Sequence, residues 1–115
     1  MTNAVELRVR VLLTLQVALL GMVTANMRSV VVSWTDKDVR IRVVFDEKVA
    51  PEDAELASEI ESEVISHLPH HTVFCEAEAC VPSKGVEISA GEVLVFQRAR
   101  GKAEQYGSRC KPDAT

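Results

Sequence analysis

Two runs of alternating residues, 30–35 and 39–45, constrain this chain more than any other feature. Val30, Val32 and Trp34 alternate with Val31, Ser33 and Thr35; Val39, Ile41, Val43 and Phe45 alternate with Arg40, Arg42 and Val44. Such alternation marks half-buried strands, because successive side chains leave a strand on opposite faces. The register of the pair follows from the same residues. Setting Trp34 opposite Val39 brings Val32 to Ile41 and Val30 to Val43, all on one face. A slip of one residue would set apolar groups against charges. The turn is then Asp36-Lys37, which lacks the usual glycine, so a slightly longer loop of the same parity serves equally well.

Helical patterns flank this hairpin. Asn3 with Glu6 three residues later forms an N-cap pair, and Gly21 is a natural stop. Between them Val5, Val9, Leu12, Leu13, Leu19 and Leu20 are the expected core stripe. Pro51 suits the first turn of a second helix, and Glu52 and Asp53 complement the positive end of its dipole. Ala57, Ile60, Val64 and Leu68 give its buried stripe, and Pro69 ends it. A third strand is expected over 72–81, with Val73, Cys75, Ala77 and Ala79 inward and Glu76 and Glu78 outward. After a long connection, residues 92–98 read as a fourth strand.

The order αββαββ predicts an α+β, two-layer sandwich: a four-stranded antiparallel sheet with both helices on one face. Residues 1–98 form the single domain, and the polar stretch 99–115 reads as a flexible C-terminal tail. The other sheet face is left with Ser33, Arg40, Arg42, Glu76 and Glu78. A chain of 115 residues supports a core without staples, and 47% apolar with 26% charged residues is a globular composition. Cys75, Cys80 and Cys110 are an odd, sparse set that fits a reducing, cytoplasmic compartment. Arg8 and Arg10 before the run 11–23 superficially resemble a secretory signal, but Glu6, Thr14 and Gln16 interrupt the pattern. The run is too short for a membrane span.

The charge distribution is one-sided. From Asp46 to Glu63 the chain holds eight carboxylates against Lys48 alone, whereas its whole net charge is −4. Glu55, Glu59 and Glu63 stand at i, i+4, i+8 on the outer face of the second helix, with Glu52 beside them. Like charges so spaced destabilise an isolated helix by about 0.2–0.5 kcal/mol per pair, and no Lys or Arg lies within this helix. Two readings stand: a solvated face that keeps a small protein soluble, or a surface whose counter-charge comes from a basic protein partner.

The first helix is apolar on too many sides. Leu7, Val11, Leu15 and Ala18 lie away from its expected core stripe and form a possible homodimer contact, unless the 82–91 connection or the tail covers them. His67, His70, His71 and Cys75 cluster at the helix-to-strand corner, but their spacing matches no standard zinc pattern, so neither metal nor cofactor is expected. A Cys–His nucleophile there lacks a third orienting group. The sheet face offers no placed aromatic for base stacking, and acidity disfavours nucleic acid as a partner. Phosphate-binding loops, dinucleotide fingerprints and hydrolase motifs are absent from the sequence, so no enzyme is expected.

The opening Asn3-Ala4-Val5-Glu6-Leu7-Arg8-Val9-Arg10, residues 15–21 (Leu-Gln-Val-Ala-Leu-Leu-Gly) and Val32-Ser33-Trp34 resemble a group of small uncharacterised bacterial proteins without assigned catalytic residues. The likeness covers the first half of the chain. In size, acidity and lack of an active-site motif the chain is also similar, by type, to immunity proteins, which neutralise a toxin made by the same cell. That resemblance implies a non-enzymatic inhibitor of a toxin domain, a nuclease for example; the charge of the second helix makes Glu52, Glu55, Glu59 and Glu63 the expected contact. The alternatives are a homodimeric structural or regulatory module and a small ligand- or metal-binding domain.

Overall fold

The computed structural model describes residues 4–80 and 85–98. In chain order it contains α1 (Ala4–Ala18), β1 (Met27–Trp34), β2 (Asp38–Asp46), α2 (Pro51–His67), β3 (Thr72–Cys80) and β4 (Val93–Gln97). The Asn3 cap and the tail 99–115 lie outside the described residues. The hairpin has the register derived above, with Trp34 opposite Val39, Val32 opposite Ile41 and Val30 opposite Val43. Its turn is closed without glycine. Thr35 N–H donates to the Asp38 carbonyl (2.8 Å), while Thr35 Oγ1 accepts from Lys37 N (3.1 Å) and Asp38 N (3.0 Å). The threonine hydroxyl thus satisfies turn amides that a two-residue loop leaves open.

The sheet runs β3-β2-β1-β4 and is mixed. β1 is antiparallel to both neighbours, but β3 is parallel to β2 throughout, from Asp38↔Thr72 to Asp46↔Cys80. The fully antiparallel expectation is therefore corrected. Parallel neighbours need a crossover connection, and α2, with 17 residues, carries the chain back along β2 before β3 begins. Alternation gives the faces of a strand but not its direction, so nothing in residues 72–80 signals this.

One core joins both helices to one sheet face. Val30, Val32, Val39, Ile41, Val43 and Phe45 from the sheet meet Ile60, Val64 and Leu68 of α2, all at most 1% exposed. Pro51 opens α2, and the Leu68 N–H closes it on the Val64 and Ile65 carbonyls. Gly21 (φ +77°) turns the chain after α1; a left-handed residue there is glycine's use.

The rotation of α1 reverses the expected one. Leu7, Val11, Leu15 and Ala18, taken above for a dimer contact, are buried in the core with Thr14. Leu12 and Leu19 also face inward, but Val5, Val9, Leu13 and Leu20 of the expected core stripe are exposed. The helix is apolar around most of its circumference, so periodicity could not choose between faces. Arg8 lies 5.8 Å from the Trp34 ring centroid on β1. A cation near that ring is favourable and agrees with this rotation.

Candidate functional site

Seven of the eight carboxylates of the acidic block divide into two groups; the eighth, Glu47, is exposed just after β2 with φ +62°. Four are engaged within the fold. Asp46, at the end of β2, accepts from Arg98 Nη1 (2.6 Å) and Nη2 (3.3 Å), and Arg98 Nη1 also donates to the Ala25 carbonyl (2.9 Å). Asp53, 5% exposed, accepts from Asn26 Nδ2 (2.7 Å) and from the Ala50 N–H (3.0 Å). It therefore caps its own helix in the manner of a third-position acid and ties the loop before β1 to it. Glu61 accepts the Cys75 N–H (3.0 Å), holding the middle of β3 against α2. Glu63 lies 3.0 Å from His67 Nε2, one turn on, an ion pair only while the imidazole is protonated.

Glu52, Glu55 and Glu59 are different. All three are exposed, and among the described residues no Lys or Arg forms an ion pair with any of them. Glu55, Glu59 and Glu63 line a shallow groove of about 510 Å³, together with Ser58, Ser62, Ser66 and Met22 from the turn after α1. Its wall is thus three carboxylates and three serine hydroxyls at helical spacing, with one thioether as the apolar floor. Such a surface can accept cationic groups and hydrogen-bond donors.

The other sheet face is occupied by its own chain. Arg42 donates from Nε and Nη2 to the two oxygens of Glu92 (both 2.9 Å), from Nη1 to Glu78 (2.8 Å), and from Nη2 to the Glu87 carbonyl (2.7 Å). The Glu92 bonds, opposed by burial and helped by Glu78, hold the guanidinium proton more tightly than usual. Conversely, the Arg42 bonds hold Glu92 below the ordinary carboxylate value of 4.5. The segment 85–92 is thereby fastened over a face where Val31 and Val44 are 0% and 2% exposed. Arg40 lies 4.6 Å from the Phe74 ring centroid. Phe74, 38% exposed, is an aromatic that the sequence reading left out of this face although its parity puts it there. Arg42 has its donors committed to protein acceptors, which removes the strongest candidate for a phosphate contact.

The histidine–cysteine corner does not assemble. His70 is exposed, His67 faces Glu63, and both His71 ring nitrogens are buried without a hydrogen-bond partner. Burial, with the charges of Glu61 and Glu76, pushes the Cys75 thiol up to about 12. A thiol so protonated is a poor ligand and a poor nucleophile. Among the described residues no group of three or more His, Cys, Asp or Glu is placed to hold a metal ion.

Sequence reasoning found the carboxylates but not their division. Asp53 carried a legible signal, an acid at the third position after Ala50, with Pro51 opening the helix. The Asp46–Arg98 and Arg42–Glu92 pairs join residues 52 and 50 positions apart and left no local trace.

Among the described residues no helix is long and apolar enough to cross a membrane. No curated protein matches the chain. A family model described as MafI2 immunity protein matches residues 8–100, from the second turn of α1 through β4. The match spans well over half of the sequence and every element of the sheet. The chain belongs to the MafI2 immunity protein family.

Proposed function

We propose that this protein neutralises a toxin domain by binding it, without catalysis, through the outer face of α2. Glu52, Glu55, Glu59 and Glu63 meet a basic surface of the toxin, such as the cleft with which a nuclease holds a nucleic-acid backbone. The family match supports a toxin-directed role. The observation that carries the assignment to α2 is the division of the acidic block. Asp46, Asp53 and Glu61 serve the fold, whereas Glu52, Glu55 and Glu59 stay exposed with no ion-pairing cation among the described residues. Mutual repulsion along a helix is a cost that an incoming cationic surface removes. Long-range attraction between the two surfaces speeds their encounter and is screened by salt.

The test is direct titration against a candidate toxin domain, sought first in the reading frame next to this gene. Glu55→Lys/Glu59→Lys is expected to slow association by about tenfold or more at low salt and to flatten its salt dependence. Association of the double variant at the wild-type rate, with the wild-type salt slope, removes α2 from the interface.

A further inference from the structure

Five exposed apolar side chains run along the outer side of α1. Val5, Val9, Leu13 and Val17 follow one another at i+4, and Leu20 continues the line into the next turn. Their exposures are 71%, 50%, 60%, 49% and 75%. A helix laid on a sheet normally turns polar side chains to this side. Here the polar residues near the stripe are few: Glu6, Arg10 and Gln16. The stripe follows a helix of 15 residues, about 22 Å at 1.5 Å per residue. It is a surface built for contact.

We infer that this stripe is the apolar anchor of the same toxin interface, receiving an apolar ridge bordered by basic side chains on the partner. The inference rests on the proposed role of α2 and extends it. Both helices belong to one layer over one sheet face, and Met22, just past α1, lines the acidic groove of α2. The outer sides of α1 and α2 therefore point the same way and form one continuous surface, apolar on one helix and anionic on the other. The two halves have complementary tasks. Charges raise the rate of encounter, while affinity comes from a few apolar side chains that lose their water. Glu52, Glu55 and Glu59 supply the first and lack the second; the α1 stripe supplies the second.

The same charges decide between occupants. A second copy seated on the stripe brings the same carboxylate-lined α2 and supplies no cationic surface to the groove beside it. A partner with basic residues around its ridge supplies one. The occupant is thus a cationic protein surface rather than a second copy of this chain.

The decisive measurement is the binding kinetics of a toxin domain that the wild-type protein captures, with wild type, with Val9→Ser/Leu13→Ser, and with Glu55→Lys/Glu59→Lys. The first double variant is expected to raise Kd by about tenfold or more through faster dissociation, leaving the salt slope of association intact. The charge-reversal variant is expected to act on association instead. Wild-type dissociation for Val9→Ser/Leu13→Ser, alongside weakened Glu55→Lys/Glu59→Lys, overturns the anchor and leaves the α2 reading standing. The reverse pattern keeps the anchor and removes α2. Absence of any complex with wild-type protein overturns both. Sedimentation of the free protein tests the other occupant: a micromolar dimer that Val9→Ser/Leu13→Ser dissociates assigns the stripe to a second copy and overturns the proposal. If circular dichroism shows the double variant unfolded, Leu20→Ser, in the turn after α1, is judged by the same dissociation rate.

Discussion

Arg42 grips both carboxylate oxygens of Glu92, fifty residues away, through Nε and Nη2 at 2.9 Å each. The fork is partly shielded, with side-chain exposures of 23% and 15%, and Glu92 also accepts the Ser89 N–H (2.8 Å). One glutamate thus closes its own turn and clamps the segment 85–92 to the middle of β2. Replacing Glu92 by Gln is expected to cost about 1–3 kcal/mol, the range for a charge-assisted hydrogen bond that loses its charge. Urea unfolding of wild type and variant at neutral pH measures it.

The same pair sets an acid limb. The folded-state value of Glu92 is depressed, chiefly by its bonds from Arg42. Its contribution to stability is therefore complete above the ordinary carboxylate value and is lost as pH falls through the lower folded value. The stability gap between wild type and Glu92→Gln is expected to hold steady above about pH 5 and to close progressively below about pH 4. Unfolding curves across that range check the sign. A gap that widens towards acid pH contradicts the assigned coupling.

Asp53 couples a helix cap to a distant loop. Asp53→Ala removes acceptors from the Ala50 N–H and the Asn26 amide together. A loss of about 1–3 kcal/mol is expected, because both a cap and a buried acceptor go. Asn26→Ala added to Asp53→Ala is expected to cost less than it does alone, since its partner is already gone. A double-mutant cycle by denaturant unfolding gives the coupling.

Cys75 is expected to be silent towards alkylating reagents. With its thiol pushed up to about 12, the thiolate fraction at pH 8 is on the order of 10⁻⁴. Mass spectrometry after brief iodoacetamide treatment should leave Cys75 unmodified in the folded protein and modified in 8 M urea. Rapid labelling in the native state would contradict its burial against α2.

The exposed glutamates carry a stability cost that binding does not need to share. Glu55→Gln/Glu59→Gln is expected to raise stability by about 0.2–0.5 kcal/mol per relieved pair at low salt, a gain that fades in 1 M salt. The same variant is expected to bind the toxin domain more slowly. Stability and association moving in opposite directions would mark residues kept for contact rather than for folding.

How much of this was legible before the fold was known differs by element. The β1–β2 register was readable because Arg40 and Arg42 forbid the slipped pairing, so pattern and chemistry left one solution. The bounds of α2 were readable from Pro51 and Pro69. The direction of β3 was not, since Val73, Cys75 and Ala77 face the core equally well in a strand running either way. The rotation of α1 was misread because Val5, Val9 and Leu13 are as apolar as Leu7, Val11 and Leu15. What decides between them is tertiary: Leu7, Val11 and Leu15 join the core shared with α2 and the sheet, with Arg8 over Trp34. In the candidate site the glutamates of α2 were visible as a run, but their separation into fold-bound and outward carboxylates depends on Asn26, Cys75 and Arg98, none adjacent in sequence.

The parallel pairing of β2 with β3 has an outcome for chirality. A strand–helix–strand crossover of this kind turns right-handed in nearly every protein, because only that hand lets the helix settle onto a twisted sheet. The side on which α2 rests is consequently dictated by the twist of L-amino-acid strands, before any glutamate is considered. Backbone handedness thus chooses the side that carries the acidic outer face of α2, and the glutamates only populate a surface whose orientation was already set.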